Sequence, residues 1–501
     1  MALIKKTPGV FIQEENAFPG SVIAVETAIP VFIGYTEVAT WNDKSLIGIP
    51  TRIRSFNEYV ERFGGALHAK FSIVDADPNL KQETVTLNGK AKAIKINENN
   101  VAYLFNSIRL FYANGGSVCY ILAVNTYGEN KEGLKITAED FIGSAKKADP
   151  FETLQKEMEP TLIVMPDAIS LGELCYSTVY SKALKHCLTT QNRFCIFDLI
   201  NPKSTDQTQK IVSDFRERIG KEGLKNAAAY YPWLNTSIIQ PSEISFENLD
   251  ASVNLDQLLP EPAALDVIKK FKANSNPDKQ LKENFDQALK TTSPTYVNLL
   301  EKIRLKWNEI PPSGAIAGIY AIIDSNKGVW KSPANVSINS VNGPSINITT
   351  EEQEGLNVDV LSGKSVNAIR VFPGQGTLIW GARTLDGNSL DWKYINVRRT
   401  VIMIEQSLKL ATQAYVFEPN DANTWVTIKG MIENFLVNLW MQGGLVGLKP
   451  EEAFDVQIGL GKTMTETDIL EGRMIISVKL AIIHPAEFIV ITFFQKMSSK
   501  S

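Results

Sequence analysis

Short apolar runs alternate with helix-spaced stretches through the first half of the chain, and the alternation sets the expected architecture. Runs at 29–35, 117–124, 162–165, 194–199 and 227–231 have the length of buried strands. Between several of them lie helical patterns, at 101–113 closed by Gly115-Gly116, at 171–188, and at 207–219 closed by Gly220. Alternation of this kind predicts an α/β layer on a mostly parallel sheet.

Two stretches interrupt the rhythm. Residues 71–97 alternate apolar and polar positions around Asn88-Gly89, the pattern of a β-hairpin insertion. From 241 to 312 the chain is rich in Lys, Asp, Asn and Pro with helical fragments such as 296–307, which reads as a surface insertion. Residues 332–363 read as a second loop-rich excursion.

The last 110 residues change character. Val401, Ile404, Leu408, Ala411 and Tyr415 recur at helical steps. Ile428, Met431, Ile432, Phe435, Leu436, Leu439 and Trp440 do so more strictly, with Thr424 as the candidate cap and Gly443-Gly444 as the stop. Two strand-like runs follow, 473–483 and 487–495, joined at His484-Pro485. Within the final run, 488–494 is apolar on both faces apart from Thr492, so it needs a partner strand. Val10, Phe11 and Ile12 form a short strand-like run at the other end, and both ends are candidates for strand addition to a neighbouring chain. The expected fold class is α/β and multi-domain, with an amino-terminal arm at 1–25 and a layered central domain at 26–390. Insertions are expected near 67–100, 235–310 and 335–363, and an α+β carboxy-terminal domain at 391–501.

Composition narrows the class without naming a chemistry. The 501 residues are 44% hydrophobic and 21% charged, with a net charge of −4, which fits a folded chain of several domains. Such a balance gives no net pull toward nucleic acid, and no basic run supplies a local one. Cys119, Cys175, Cys187 and Cys195 show no CxxC spacing and read as buried thiols. The first residues have no apolar core before Thr7-Pro8-Gly9, so no secretory signal is expected. No apolar run reaches the roughly 20 residues of a membrane span.

Catalytic patterns are sparse. Gly459-Leu460-Gly461-Lys462-Thr463 contains a GKT, but Val456 stands where a phosphate-binding loop needs its first glycine. His68, His186 and His484 form neither HExxH nor a metal spacing with cysteine. The expectation is a protein without catalytic residues, metal or cofactor.

Several longer strings carry a resemblance. Thr7-Pro8-Gly9-Val10, Asn114-Gly115-Gly116 before Cys119-Tyr120-Ile121, and GVWKSPAN from Gly328 come in order with WGARTL from Trp380 and WKYINVRRT from Trp392. FEPN from Phe417 and PAEF from Pro485 complete the series. Together they resemble the contractile tail sheath family of phage tails, tailocins and phage-tail-like injection systems.

The resemblance implies a structural subunit that polymerises helically in many copies around an inner tube, seated on a baseplate and closed by a terminator. It implies assembly in the cytoplasm in a stretched metastable state, and contraction that drives the tube through a target envelope, without direct contact with nucleic acid or membrane. It also implies interlocking terminal strands, which places Val10, Phe11, Ile12, Phe488, Val490 and Ile491 between subunits. Arg398, Arg399, Glu418 and Glu487 are candidate charges facing a neighbour or the tube, while Trp380 and Trp392 are expected in core or turns. The alternatives are an α/β hydrolase or nucleotide-binding enzyme, or another self-assembling surface protein.

Overall fold

The computed structural model describes residues 21–77, 84–128, 134–201, 207–274 and 276–488. They fall into two compact units. The larger takes Glu26–Ile402 together with the residues from His484 onward, and the smaller takes the residues up to Val25 together with Met403–Ile483.

The larger unit is organised by a nine-stranded sheet. Its strands are β1 (Pro30–Thr36), β2 (Thr51–Ile53), β3 (Cys119–Thr126), β4 (Leu162–Val164), β5 (Phe194–Asp198), β6 (Ala227–Tyr231), β7 (Val336–Ser337), β8 (Asn367–Phe372) and β9 (Gly376–Trp380). In space they run β7-β9-β8-β6-β5-β4-β1-β3-β2. The six strands from β8 to β3 are parallel, while short antiparallel β2 closes one side and β9 with β7 the other. All five strands expected from the apolar runs form in this sheet. Their residues are apolar at nearly every position because helices cover both faces, as parallel sheets require.

Helix α1 (Leu104–Ala113) and helix α2 (Ser313–Lys327) lie together against the sheet. Gly314 and Gly318 let them approach closely: a Cβ on Gly314 would stand 2.8 Å from the Ser107 Cα. The helix expected over 171–188 forms as one unbroken helical run from 173 to 190, of π form at Cys175–Tyr180 and α form at Ser181–Thr190, after a 3₁₀ turn at Pro166–Leu171. Tyrosine hydroxyls fix this shape. Tyr176 Oη accepts the Ile200 N–H at 2.7 Å, Tyr180 Oη donates to the Asp198 carbonyl, and the Tyr180 ring stacks on Phe197 at 4.0 Å.

The two insertions read from the sequence meet each other. Hairpin strands Thr84–Leu87 and Lys90–Ile96 turn at Asn88-Gly89, both at positive φ, as the sequence predicted. Helix Pro294–Trp307 packs on this hairpin, with the Phe71 ring edge-on to Trp307 at 6.3 Å. The helical fragments read in the insertion at 241–312 form full helices, because Asp278 and Ser293 cap two of them and apolar stripes including Leu289, Leu299 and Ile303 are buried. Segment 332–363 likewise gains β7, a strand at Val341–Pro344 and a helix at Thr350–Asn357.

The smaller unit is built on α3 (Ile395–Thr412), α4 (Ala422–Met441) and a hairpin of β10 (Phe454–Ile458) with β11 (Ile476–Leu480). The division at 402/403 falls inside α3, rather than at the 390/391 boundary read from the sequence. The apolar stripe of α4 is buried from Ile428 to Leu439 and packs on β10. Its cap is Asp421, which accepts the Thr424 N–H at 3.0 Å, so Thr424 belongs to the first turn and is not the cap.

Candidate assembly site and the closed crevice

Strand order in the large sheet reverses between β1 and β4, because the chain goes from β1 to β3 on one side and crosses to β4 on the other. In open α/β sheets ligands bind at the carboxyl ends of the strands flanking such a reversal. Here that position is filled by a side chain of the same protein. Asp167, just beyond β4, accepts the Tyr35 N–H at 2.8 Å, the Tyr103 N–H at 2.5 Å and the Leu104 N–H at 2.9 Å. The last two are orphan donors at the start of α1, where a bound phosphate would sit in a nucleotide enzyme. Gly34 makes the room, since a Cβ there would collide with the Asp167 carboxylate. Burial pushes the Asp167 carboxyl up to about 6, against the three N–H groups that lower it.

A second buried carboxylate repeats the device one strand along. Asp198 at the end of β5 accepts the Ser313 N–H at 2.8 Å and the Ser313 hydroxyl at 2.5 Å, at the start of α2. Burial raises it to about 7.

The GKT segment is a turn. Thr463 Oγ1 accepts the Gly459 N–H at 3.2 Å and donates to the Ile475 carbonyl at 2.7 Å, so the segment ties β10 toward β11 instead of opening a helix toward phosphate. His186 is buried against Arg193, whose Nη1 lies 2.6 Å from His186 Nε2; burial and then the guanidinium charge press its pKa down to about 4. All four cysteines are free and buried, and among the described residues no cluster of three or more His, Cys, Asp or Glu could hold a metal.

The assembly residues divide. Val10, Phe11, Ile12, Val490 and Ile491 lie outside the described residues. Phe488 is the last described residue and is 73% exposed. The hairpin of β10 and β11 stands as a two-stranded sheet among the described residues; only the far end of β11 is extended, by a bridge from Leu445 to Ile482. Its outer edges are templates for further strands.

The charges expected to face a neighbour or the tube are mostly held inside the larger unit. Arg399 pairs with Asp324 through 3.0 Å and 2.5 Å contacts, donates to the Thr27 carbonyl at 3.1 Å, and lies over the Tyr320 ring at 4.6 Å. Arg398 is buried, donates to Asn226 Oδ1 at 2.8 Å and covers Trp392 at 5.2 Å. These two positions are therefore corrected to internal contacts, drawn inward because α3 starts in the larger unit's core. Glu487 also binds within its own chain, to Arg383 through Nε at 2.9 Å and Nη2 at 2.7 Å. Glu418 is exposed on the turn after α3, next to a fully exposed Phe417 at φ +73°. Trp380 is 37% exposed and leans on Phe372, so it is not core. Asp324, Arg383 and Thr27 were missed by sequence reasoning; only the WGARTL string around Arg383 carried a signal.

Comparison with known proteins covers most of the chain. Residues 196–385 match the phage tail sheath protein central domain, and residues 388–496 match the phage tail sheath C-terminal domain. The tail sheath protein of Vibrio phage KVP40 is 29% identical over 142 residues, 28% of this chain and 21% of that protein. That of Burkholderia phage BcepMu is 24% identical over 254 residues, 46% of this chain and 50% of that protein. The chain thus spans half or less of the length of these curated relatives. Solved structures align more fully. The PVC sheath complex of an extracellular contractile injection system, in its contracted state, is 26% identical with a TM-score of 0.61, covering 99% of both chains. The helical sheath of the anti-feeding prophage, also contracted, is 28% identical with a TM-score of 0.60, covering 98% of this chain and 100% of that one.

Proposed function

The chain belongs to the contractile tail sheath family, and from that premise we propose that it polymerises helically around an inner tube and contracts to drive the tube through a target envelope. The partners in this reading are further copies of the chain, a tube protein, a baseplate and a terminator. Assembly takes place in the cytoplasm, before the particle is released or anchored.

The observation that supports the reading is the small sheet of β10 and β11, whose edges no other described strand pairs apart from the Leu445–Ile482 bridge, on a chain with apolar, strand-like runs at 10–12 and 488–494. A two-stranded sheet is marginal by itself, and strands from neighbouring copies would complete it. Val10, Phe11 and Ile12 at one end, and Phe488, Val490 and Ile491 at the other, are the strands proposed to do so. Glu418 remains a candidate contact because it is exposed.

No fuel is needed. If contraction buries only ~200 Å² more apolar surface per copy, at ~25 cal/mol/Å² each copy releases about 5 kcal/mol. A kinetic barrier then holds the stretched state until the baseplate triggers it. Among the described residues Asp167 occupies the crevice where a ligand of the enzyme alternative would bind.

Negative-stain electron microscopy of the chain, alone and with a tube protein, tests the reading. Hollow striated cylinders are expected, and monodisperse globules in both samples would refute it. Deleting residues 1–14, or Ile491→Pro, which removes a ladder donor, should leave a folded subunit that makes no continuous cylinder.

A further inference from the structure

The chain passes between its two units three times, at 25/26, 402/403 and 483/484. Within four residues of each crossing, on the larger unit's side, stands a member of one of two polar nodes, the first buried and the second half-buried: Thr27, Arg399 and Glu487. In the first node Asp324 holds both Arg399 and the Thr27 hydroxyl, the latter at 2.6 Å, and the two charged side chains are 3% and 5% exposed. In the second, Glu487 receives Arg383 through both oxygens, Asn357 Nδ2 at 2.8 Å and the Tyr394 hydroxyl at 3.2 Å.

Residues 484–488 form neither helix nor strand, and their backbone makes no ladder contact. The Glu487 node, together with the His484 ring edge-on to Tyr394 at 5.7 Å, fixes this stretch to the larger unit. Its chemistry suits it to resist withdrawal, because pulling the half-buried Glu487 away leaves the Arg383 guanidinium, 8% exposed, without its counter-charge. Burial raises the Glu487 carboxyl, but the hydrogen bonds from Arg383 and Asn357 outweigh that and hold it below the usual range.

We propose that these two nodes are the anchors through which pull on the terminal segments enters the larger unit. Asp324–Arg399–Thr27 serves the amino-terminal segment and Arg383–Glu487 the carboxy-terminal one. The inference rests on the sheath reading, in which those segments link neighbouring copies. A folding element could sit anywhere in the core, whereas these nodes stand where the chain passes from one unit to the other.

The test uses the full-length chain, unaltered and with Glu487→Gln, an isostere that keeps the shape and loses the charge. Polymers are sheared at matched doses, their length is read by electron microscopy, and the unassembled subunits are melted in parallel. Glu487→Gln should shorten the sheared polymers at least about fivefold, or prevent their formation, while the subunit stays folded and its melting falls by no more than about 5 °C, since Arg383 is left without its counter-charge. Tyr394→Phe, which removes one donor, should give a smaller loss, and Arg383→Lys an intermediate one. Arg52→Gln, which breaks the half-exposed Arg52–Glu159 pair far from any crossing in sequence, should leave length unchanged. Equal lengths for the unaltered and Glu487→Gln chains would overturn the anchor. So would a loss of subunit melting that accounts for the shortening, which would mark the node as a folding element. If the unaltered chain forms no polymer, the sheath reading fails first and the anchor falls with it.

Discussion

Asp198→Asn should make the larger unit more stable at pH 8. Asp198 accepts two hydrogen bonds from Ser313, one from the N–H and one from the hydroxyl. Asparagine can keep both contacts: its Oδ1 accepts the N–H, and its Nδ2 donates to the hydroxyl oxygen, which can accept instead. What disappears is a buried charge. The carboxyl is raised from 3.8 to about 7, so the folded state holds its proton where the unfolded chain has released it. Stability attached to this group is therefore complete below about pH 4 and lost as pH rises through about 7. At 1.36 kcal/mol for each pH unit the loss approaches 4 kcal/mol as a ceiling. The variant should match the parent near pH 4 and exceed it by about 1–4 kcal/mol at pH 8. Urea unfolding followed by circular dichroism at both pH values measures the difference. A gap of the same size at both pH values, or a variant weaker by more than about 1 kcal/mol at pH 8, would refute the reasoning.

Gly314→Ala should cost about 1–3 kcal/mol, because its Cβ enters the backbone of α1 at Ser107; a melting curve unchanged from the parent would contradict that packing. His186 works in the opposite sense to Asp198: its pKa is lowered to about 4, so its stability is present above pH 6.5 and lost as pH falls through 4. His186→Gln should remove about 3 kcal/mol of acid sensitivity between those values, measured by urea titration at pH 4 and 6.5. Magnesium ATP at about 1 mM should move the melting temperature by less than about 1 °C, and Lys462→Ala should change neither value; a clear upward shift would reopen the nucleotide alternative.

Much of the architecture can be read directly from residue patterns. The buried strands of a parallel sheet are apolar on both faces, so 29–35, 162–165 and 227–231 stand out as runs. Asn88-Gly89 dictates its turn because both residues sit at positive φ. The order of strands is another matter, since it depends on which crossover returns to which edge, and no local pattern encodes that. The same limit hid the union of the hairpin with helix Pro294–Trp307, which joins segments some 200 residues apart. Asp421 was passed over as the α4 cap because Thr424 is also a good capping residue, and backbone geometry alone separates them. For the candidate site, the apolar character of 10–12 and 488–494 is legible in the sequence. The inward course of Arg398 and Arg399 is not, because an arginine pair reads the same on a surface as over the rings of Trp392 and Tyr320.

The carboxylate of Asp167 has one more consequence, which concerns mass action. A fold that relies on a bound phosphate to quiet the start of a helix is only as stable as the free concentration of that solute allows. Here the anion is tethered to the chain, so its local concentration is set by the backbone and never diluted. A protein made in many copies on this plan would drain no pool of metabolite as it folds. Its stability would be the same inside a cell and in a medium that contains no nucleotide at all.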